Sequence, residues 1–409
     1  MNKIGILHYS APPIIGGVES VIGHHARLFS AAGHPVRILA GRGTPDMPAV
    51  EYAEIPLLDS RHPDVLKIKA GLDRGSVPPG FSDLIRKIKE QLLEHLQWCD
   101  ILTAHNVCSL NKNLALTAAL MEIAAQRTGP KLVVWHHDLA WTSARYRDEL
   151  HEGYPWSLLK TAWPGVSRRV VVSQLRRREL ASLVGLEESE IQVIPNGIEV
   201  GEFLKLGEEA LQIIRSLDIL QAAPLLLQPV RITRRKNLEL SLRSLAFLKQ
   251  DFPAARLLVT GPLGAHNPAN LEYFGELTAL RSQLGLEGSV HFMVEESPKT
   301  LPDETIADLY RVADGLLLTS QEEGFGIPIL EAGLAGLPVF CTDIPSLREL
   351  AGETAYSFSP GEDPRKVAKL ISTRLKSDGV TLMRQKVRQS YTWEGIFREH
   401  LRPLLQSLQ

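Results

Sequence analysis

The stretch GLLLTSQEEGFGIPILEAGLAGLPVFC, residues 315–341, decides the fold class of this chain. It opens on the apolar run Gly315 to Leu318 and closes on a second, Pro338 to Cys341. Between them Gly324 and Gly326 break regular structure, Pro328 suits a first helical position, and the apolar spacing that follows is helical. Strand, loop, helix, strand is the repeating unit of a parallel sheet. Glu323 and Glu331 flank the turn, with Glu331 about one turn inside the helix. Solvated carboxylates at a helix start are the ordinary reading. The sharper one is a ligand site, because a carboxylate there can accept both hydroxyls of a vicinal diol such as a ribose. The N–H groups of Gly324, Phe325, Gly326 and Ile327 then face sugar or phosphate oxygens.

The same alternation extends outward through the chain. Strands are expected at Ile4 to His8, Val36 to Gly41, Ile101 to His105, Leu132 to His136, Arg169 to Val172 and Ile191 to Pro195. A second set follows at Pro224 to Gln228, Arg256 to Thr260, Val290 to Phe292, Gly315 to Leu318, Pro338 to Cys341 and Ala355 to Phe358. Longer segments of helical period lie between them, so both halves read as doubly wound α/β sheets. The 409 residues suit two domains of about 200 residues each. Pro195, Asn196, Gly197 and Gly201 mark the hinge, giving domains 1–198 and 199–389. A final amphipathic helix, about 390–409, is expected to pack back on the first domain. Asp59 to Gly80 reads as a long connection bordering the cleft between the domains.

Composition excludes several classes. An apolar fraction of 44%, 22% charged residues and a net charge of -2 are those of an ordinary globular protein, not one that coats nucleic acid. Cys99, Cys108 and Cys341 are too few and too widely spaced for a disulfide framework or a paired-cysteine zinc site, which fits a reducing cytoplasm. No apolar run reaches the roughly 18 residues of a membrane span. The basic residues Arg86, Lys87 and Lys89, and the cluster Arg176 to Arg178, read first as solvated helix faces. Docking on the inner face of an anionic membrane is the second reading.

Two further loops follow expected strands. HYSAPPIIGGVES carries Gly16 and Gly17 just before a helix, where bare backbone can approach an anion. It has neither the dinucleotide glycine spacing nor a Walker loop. LQPVRITRRKN places Arg231, Arg234, Arg235 and Lys236 beside a helix N-terminus, against the usual dipole preference. A diphosphate would compensate them better than a carboxylate, since it offers several oxygens to one guanidinium and one ammonium.

Together, EEGFGIPILEAGLAGLPV, RITRRK and GGVE resemble the retaining nucleotide-sugar glycosyltransferases of family 4, whose hallmark is a Glu, seven residues, then Glu. AAGHPVRILAG, WHHD, VVS at Val171 to Ser173 and VIPNGIE extend the similarity over most of the chain. The resemblance implies a GT-B fold, two facing Rossmann-like domains with an interdomain cleft, and no cofactor or required metal. It implies a UDP-, GDP- or ADP-sugar donor and a hydroxyl acceptor, whether a sugar, a small polyol or a lipid-linked glycan. Residue by residue, it gives Glu331 the donor ribose, Glu323 the transferring sugar and Arg231 with Lys236 the diphosphate. Gly16 and Gly17 would close over the phosphates, and His137, the histidine before an Asp, would lie near the transferring sugar.

The acceptor loops would be Ser10 to Ile15, His105 to Leu110 and Asp138 to Tyr146, where Trp141 and Tyr146 either stack on a sugar or simply pack. Three positions depart from the family pattern: Val230 for Gly, Arg235 for a common Glu, and Glu199 for Asp. The expected reaction is front-face transfer with retention. The alternatives are a nucleotide-sugar epimerase or disaccharide phosphorylase on the same fold, and a non-catalytic sugar-nucleotide binding module.

Overall fold

The computed structural model describes residues 1–263, 268–296 and 300–408, so Gln409, the last residue of the expected final helix, lies outside the described residues. The chain folds as two compact units. One is Met1–Gly197 together with the chain from Trp393 onward, and the other is Ile198–Thr392.

The first unit is built on β1 (Ile4–His8), β2 (Val36–Ala40), β3 (Val50–Glu54), β4 (Ile101–His105), β5 (Lys131–His136), β6 (Val166–Val171) and β7 (Ile191–Val193). They form one sheet in the order β3-β2-β1-β4-β5-β6-β7, with every pairing parallel. The second unit holds β8 (Leu225–Gln228), β9 (Arg256–Val259), β10 (Val290–Phe292), β11 (Gly315–Leu318), β12 (Val339–Thr342) and β13 (Tyr356–Phe358). Their order is β10-β9-β8-β11-β12-β13, again parallel throughout. Each sheet winds outward in one direction and then the other, which is the Rossmann arrangement. Its ligand crevice lies at the carboxyl ends of the strands flanking the reversal. That crevice falls between β1 and β4 in the first unit and between β8 and β11 in the second.

Strand alternation explains why both faces of each sheet are covered. In the first unit Leu7, Leu39, Leu102, Leu132 and Val134 pack on one face with the helices Phe81–Leu96 and Leu114–Gln126. Ile6, Ile38, Ile101, Val133 and Trp135 point the other way, into a cluster with Phe29 of the helix Gly17–Ala31 and with Trp393, Phe397 and Leu401. The segment from Trp393 thus supplies part of the first unit's core.

Two expectations need correction. Residues 59–80 are not an open connection: a helix runs over Pro63–Leu72, opened by Pro63 and by the His62 ring accepting the Asp64 N–H at 3.2 Å. Val65 and Leu72 bury its apolar side. The strand β3 was not anticipated. It pairs only with β2, and Glu51 and Glu54 are exposed, the charged edge that prevents further strand addition but hides the apolar alternation.

At the base of the second sheet Asp314 accepts from the Leu225 N–H at 2.8 Å and from Arg388 at 2.5 Å, with both side chains buried. Arg388 also donates to the Ala222 carbonyl at 3.2 Å and to that of Val312. Removing one partner leaves a buried charge alone, so Asp314→Ala should cost about 3–5 kcal/mol in urea denaturation. The double variant Asp314→Ala/Arg388→Met should recover most of that loss; an unchanged midpoint in the single variant would refute the pairing's role.

Candidate functional site

In the second unit the loop after β8 and the loop after β11 meet at the crevice. Thr233 leads into a tight 3-10 turn, Arg234–Lys236, and Asn237 adopts φ 49° before the helix Leu238–Asp251. That turn sorts the cations. The Lys236 ammonium points inward and pairs with the Glu323 carboxylate, their side chains only 9% and 12% exposed. Glu323 also accepts from the Ser320 hydroxyl at 2.7 Å. Behind the pair, Thr319 donates to the Lys236 carbonyl at 3.0 Å and is met by Gln228 at 3.0 Å and Ser241 at 2.9 Å. The Gln321 N–H closes the two loops on the Arg235 carbonyl at 2.8 Å.

Not all four cations await an outside anion. Arg234 turns away and forms a forked pair with Glu276 at 2.9 and 2.5 Å, and Arg235 donates to the Glu322 carbonyl at 3.4 Å. Arg231 is exposed, and its side chain has no hydrogen-bond or ion-pair partner among the described residues.

The helix Ile327–Leu334 begins at Gly326, whose φ of 108° and a Cβ that would sit 2.6 Å from Leu347 both demand glycine. Gly324, Phe325 and Ile327 are exposed around this helix start, while Gly326 itself is buried. Glu331 accepts from the Tyr310 hydroxyl at 2.7 Å. Burial first, and that bond second, push the Tyr310 phenol far above its ordinary range, so it stays a donor. One carboxylate lobe of Glu331 is thereby fixed, leaving acceptor capacity on the other oxygen.

In the first unit, Gly16 caps the helix that starts at Gly17 without a side-chain bond, and a Cβ on Gly16 would collide with the Glu19 carboxylate. Glu19 accepts from the Ser10 hydroxyl at 2.6 Å and lies 3.9 Å from His8 Nε2. His137 follows β5. Its N–H donates to Asn106 at 2.8 Å, and its Nε2 meets His105 Nδ1 at 3.1 Å. The crevices thus divide the expected residues: Gly16, Gly17 and His137 belong to the first unit, and Arg231, Lys236, Glu323, Gly324, Phe325, Gly326, Ile327 and Glu331 to the second.

Several neighbours escaped the sequence. Tyr310, Ser320 and Thr319 carry no motif that marks them. Gly261 had a signal, a glycine directly after the expected strand Arg256 to Thr260: a Cβ there would collide with the Val230 carbonyl, so only glycine lets this backbone run against the Arg231 loop. Other side chains turn out to be engaged in packing. Tyr146 is buried in the core, and Trp141 donates to the Trp156 carbonyl at 3.2 Å beneath the Lys160 ammonium. The basic clusters are largely paired, Arg176 with Asp138 and Glu179, Arg177 with Glu188, Arg86 with Glu90, and Lys89 with Glu122.

His137 is one of five buried histidines at this end of the first sheet. His8 Nδ1 lies 2.8 Å from the His105 carbonyl, and a carbonyl only accepts, so Nδ1 carries the proton. Burial lowers His8 from 6.5 to about 4 and His25, His136 and His137 to about 3, and it lowers His105 as well. All five are therefore neutral in the fold. The unfolded chain takes up protons as pH drops below 6.5 while the folded chain does not, so stability is full above that pH and declines below it. Each histidine contributes about 1.4 kcal/mol per pH unit to the slope. Urea midpoints measured from pH 6.5 to 5 should fall steeply, and His25→Leu should remove about one proton's share; a flat profile in the parent protein would contradict the neutral cluster.

Comparison with known proteins agrees with this geometry. Residues 15–202 match the model for glycosyltransferase family 4, and residues 211–391 match that for glycosyl transferases group 1. Mannosylglucosylglycerate synthase of Petrotoga mobilis is 25% identical over 364 residues, 84% of this chain and 83% of its own. D-inositol 3-phosphate glycosyltransferase of Streptosporangium roseum is 26% identical over 369 residues, 87% of this chain and 80% of its own. Among solved structures, sucrose-phosphate synthase of Thermosynechococcus elongatus aligns over 99% of both chains at 17% identity with a TM-score of 0.40. HepE of Anabaena in complex with UDP-glucose covers 99% of this chain and 100% of its own, at 18% identity and a TM-score of 0.36. With an N-terminal family 4 domain, a C-terminal group 1 domain and two Rossmann-ordered sheets, the chain belongs to the family 4 glycosyltransferases of the GT-B class.

Proposed function

We propose that the protein transfers a sugar from a nucleotide diphosphate sugar to a hydroxyl acceptor with retention of anomeric configuration. The observation that carries this reading is the Lys236–Glu323 pair, held at the strand-order reversal of the second sheet beside the unpaired Arg231. An ammonium has three N–H groups. With Glu323 holding one, the others and the Arg231 guanidinium suit the diphosphate, while Glu331 suits the ribose hydroxyls. Glu323 and the backbone from Gly324 to Ile327 take the transferring sugar, with Gly16, Gly17 and His137 contributing from the first unit.

As the bond from the anomeric carbon to phosphate breaks, positive charge grows on the sugar and negative charge on the diphosphate. Cations already aimed at the leaving group stabilise that separation without reorganising, an effect typically worth several kcal/mol. The acceptor oxygen bonds to the same face of the anomeric carbon, and its proton passes to the leaving phosphate oxygen. No protein nucleophile takes part and no metal is required. The names of the two relatives, one a glycerate derivative's synthase and the other acting with inositol phosphate, support a small polyhydroxylated acceptor. We place the enzyme in the cytoplasm because its three cysteines are buried and unbridged. The paired basic clusters favour a solvated surface over a membrane face, and no described helix is long and apolar enough to cross a membrane.

Thermal shift against UDP-, GDP- and ADP-sugars should single out one donor, since a ligand at a hundred times its dissociation constant adds about 2.7 kcal/mol. With that donor, Lys236→Ala should lower turnover on the order of 10²–10³-fold while the circular dichroism spectrum is kept. Unchanged turnover would reject the assignment. The anomeric proton coupling of the product reads the stereochemistry, and an inverted product would overturn retention. Consumption of donor without acceptor, or only with free phosphate, would point instead to the epimerase or the phosphorylase.

A further inference from the structure

A groove of about 510 Å³ opens on the second unit, and none of the residues assigned to the donor lines it. Its apolar lining includes Val200, Phe203 and Leu204 of the short helix Val200–Leu204, Met383 and Val387 of the helix Gly379–Ser390, and Val312. Phe203 is 71% exposed and Met383 59%, large apolar side chains left in water in one groove. A soluble protein rarely leaves such surface bare without use.

The polar part of the lining has one sign. Arg311, Arg384 and Arg388 contribute, and no acidic side chain lines the groove. Two of these cations are satisfied: Arg388 by the buried Asp314, and Arg311 by Asp308 at 2.5 Å. Arg384 is not. It is half-buried, donates to the Arg311 carbonyl, and has no carboxylate partner among the described residues. Of the carboxylates that act on it, Asp314 is held by Arg388 and Asp378 lies 3.5 Å from Arg374. A desolvated guanidinium with free N–H groups is costly unless an anion meets it. An apolar groove with one cation in its lining that no described carboxylate pairs is complementary to one chemistry, an alkyl chain with an anionic head.

We propose that this groove binds a single-chain anionic amphiphile, its chain between Phe203 and Met383 and its head group on Arg384. The site is independent of the donor reading, and its test separates the two. Isothermal titration of the full-length protein with sodium laurate, below its micelle concentration, should show saturable binding. Dodecanol, which has the chain without the charge, and acetate, which has the charge without the chain, should each bind at least about tenfold more weakly. Met383→Glu, at an exposed position, should abolish laurate binding, and Arg384→Gln should weaken it about tenfold or more, the scale of a lost charge-assisted hydrogen bond. Lys236→Ala should leave it unchanged. Equal binding of laurate and dodecanol, or binding that survives Met383→Glu, would overturn the proposal. So would a concentration-dependent dimer in sedimentation that Met383→Glu abolishes and laurate does not disturb, which would make a second copy of the chain the occupant.

Discussion

A nearly buried ammonium needs a carboxylate, and the second unit is arranged around meeting that need. Lys236 comes from the loop after β8 and Glu323 from the loop after β11, strands that are neighbours only because the sheet reverses its winding there. Desolvating either charge alone costs several kcal/mol, so the pair holds the two loops in one relation. Thr319 then satisfies the Lys236 carbonyl behind it and is itself held by Gln228 and Ser241, and Gly261 gives the Arg231 loop room to lie against the chain leaving β9. These bonds tie the turn Arg234–Lys236 to the loop after β11 and to the helix Leu238–Asp251, so the pair sits on a braced frame.

The first unit meets the same topological constraint by the opposite means. Near its reversal point lie imidazoles that burial keeps neutral, with Glu19 as the carboxylate beside His8. Neutral donors and acceptors suit hydroxyl groups, which carry no charge to be balanced. Two Rossmann sheets thus present different chemistry at their reversal points, one with cations and one with neutral imidazoles.

Strands buried on both faces were legible from sequence alone. Ile4–His8, Ile101–His105, Val290–Phe292 and Gly315–Leu318 have the bounds their apolar runs imply, because nothing but the parallel sheet can bury such a run. The edge strand Val50–Glu54 was not legible, since half its side chains face water, and the helix Pro63–Leu72 was masked by prolines that open it rather than break it. Within the site, residue types could be read but partners could not. Lys236 and Glu323 stand 87 positions apart, and nothing local to either says that they touch. Tyr310, 21 positions before Glu331, was invisible for the same reason. Apart from the adjacent His136 and His137 the histidines lie far apart along the chain, and only the fold collects them.

The cluster of cations in ITRRKN shows how far a count of charges falls short. Arg231 and Arg234 are the same residue three positions apart, yet one has no side-chain partner among the described residues and the other is spent on Glu276. The difference is geometric. A 3-10 turn places residues i and i+2 on different sides, so drawing Lys236 inward to Glu323 swings Arg234 outward, and the left-handed Asn237 then redirects the chain into its helix. What remains for an external anion, among the described residues, is the Arg231 guanidinium without a partner, the unused N–H groups of one ammonium and a helix start at Ile327 with no side-chain cap. That is a small positive excess in a fixed position, set by the fold of the turn and not by the number of cations in the motif.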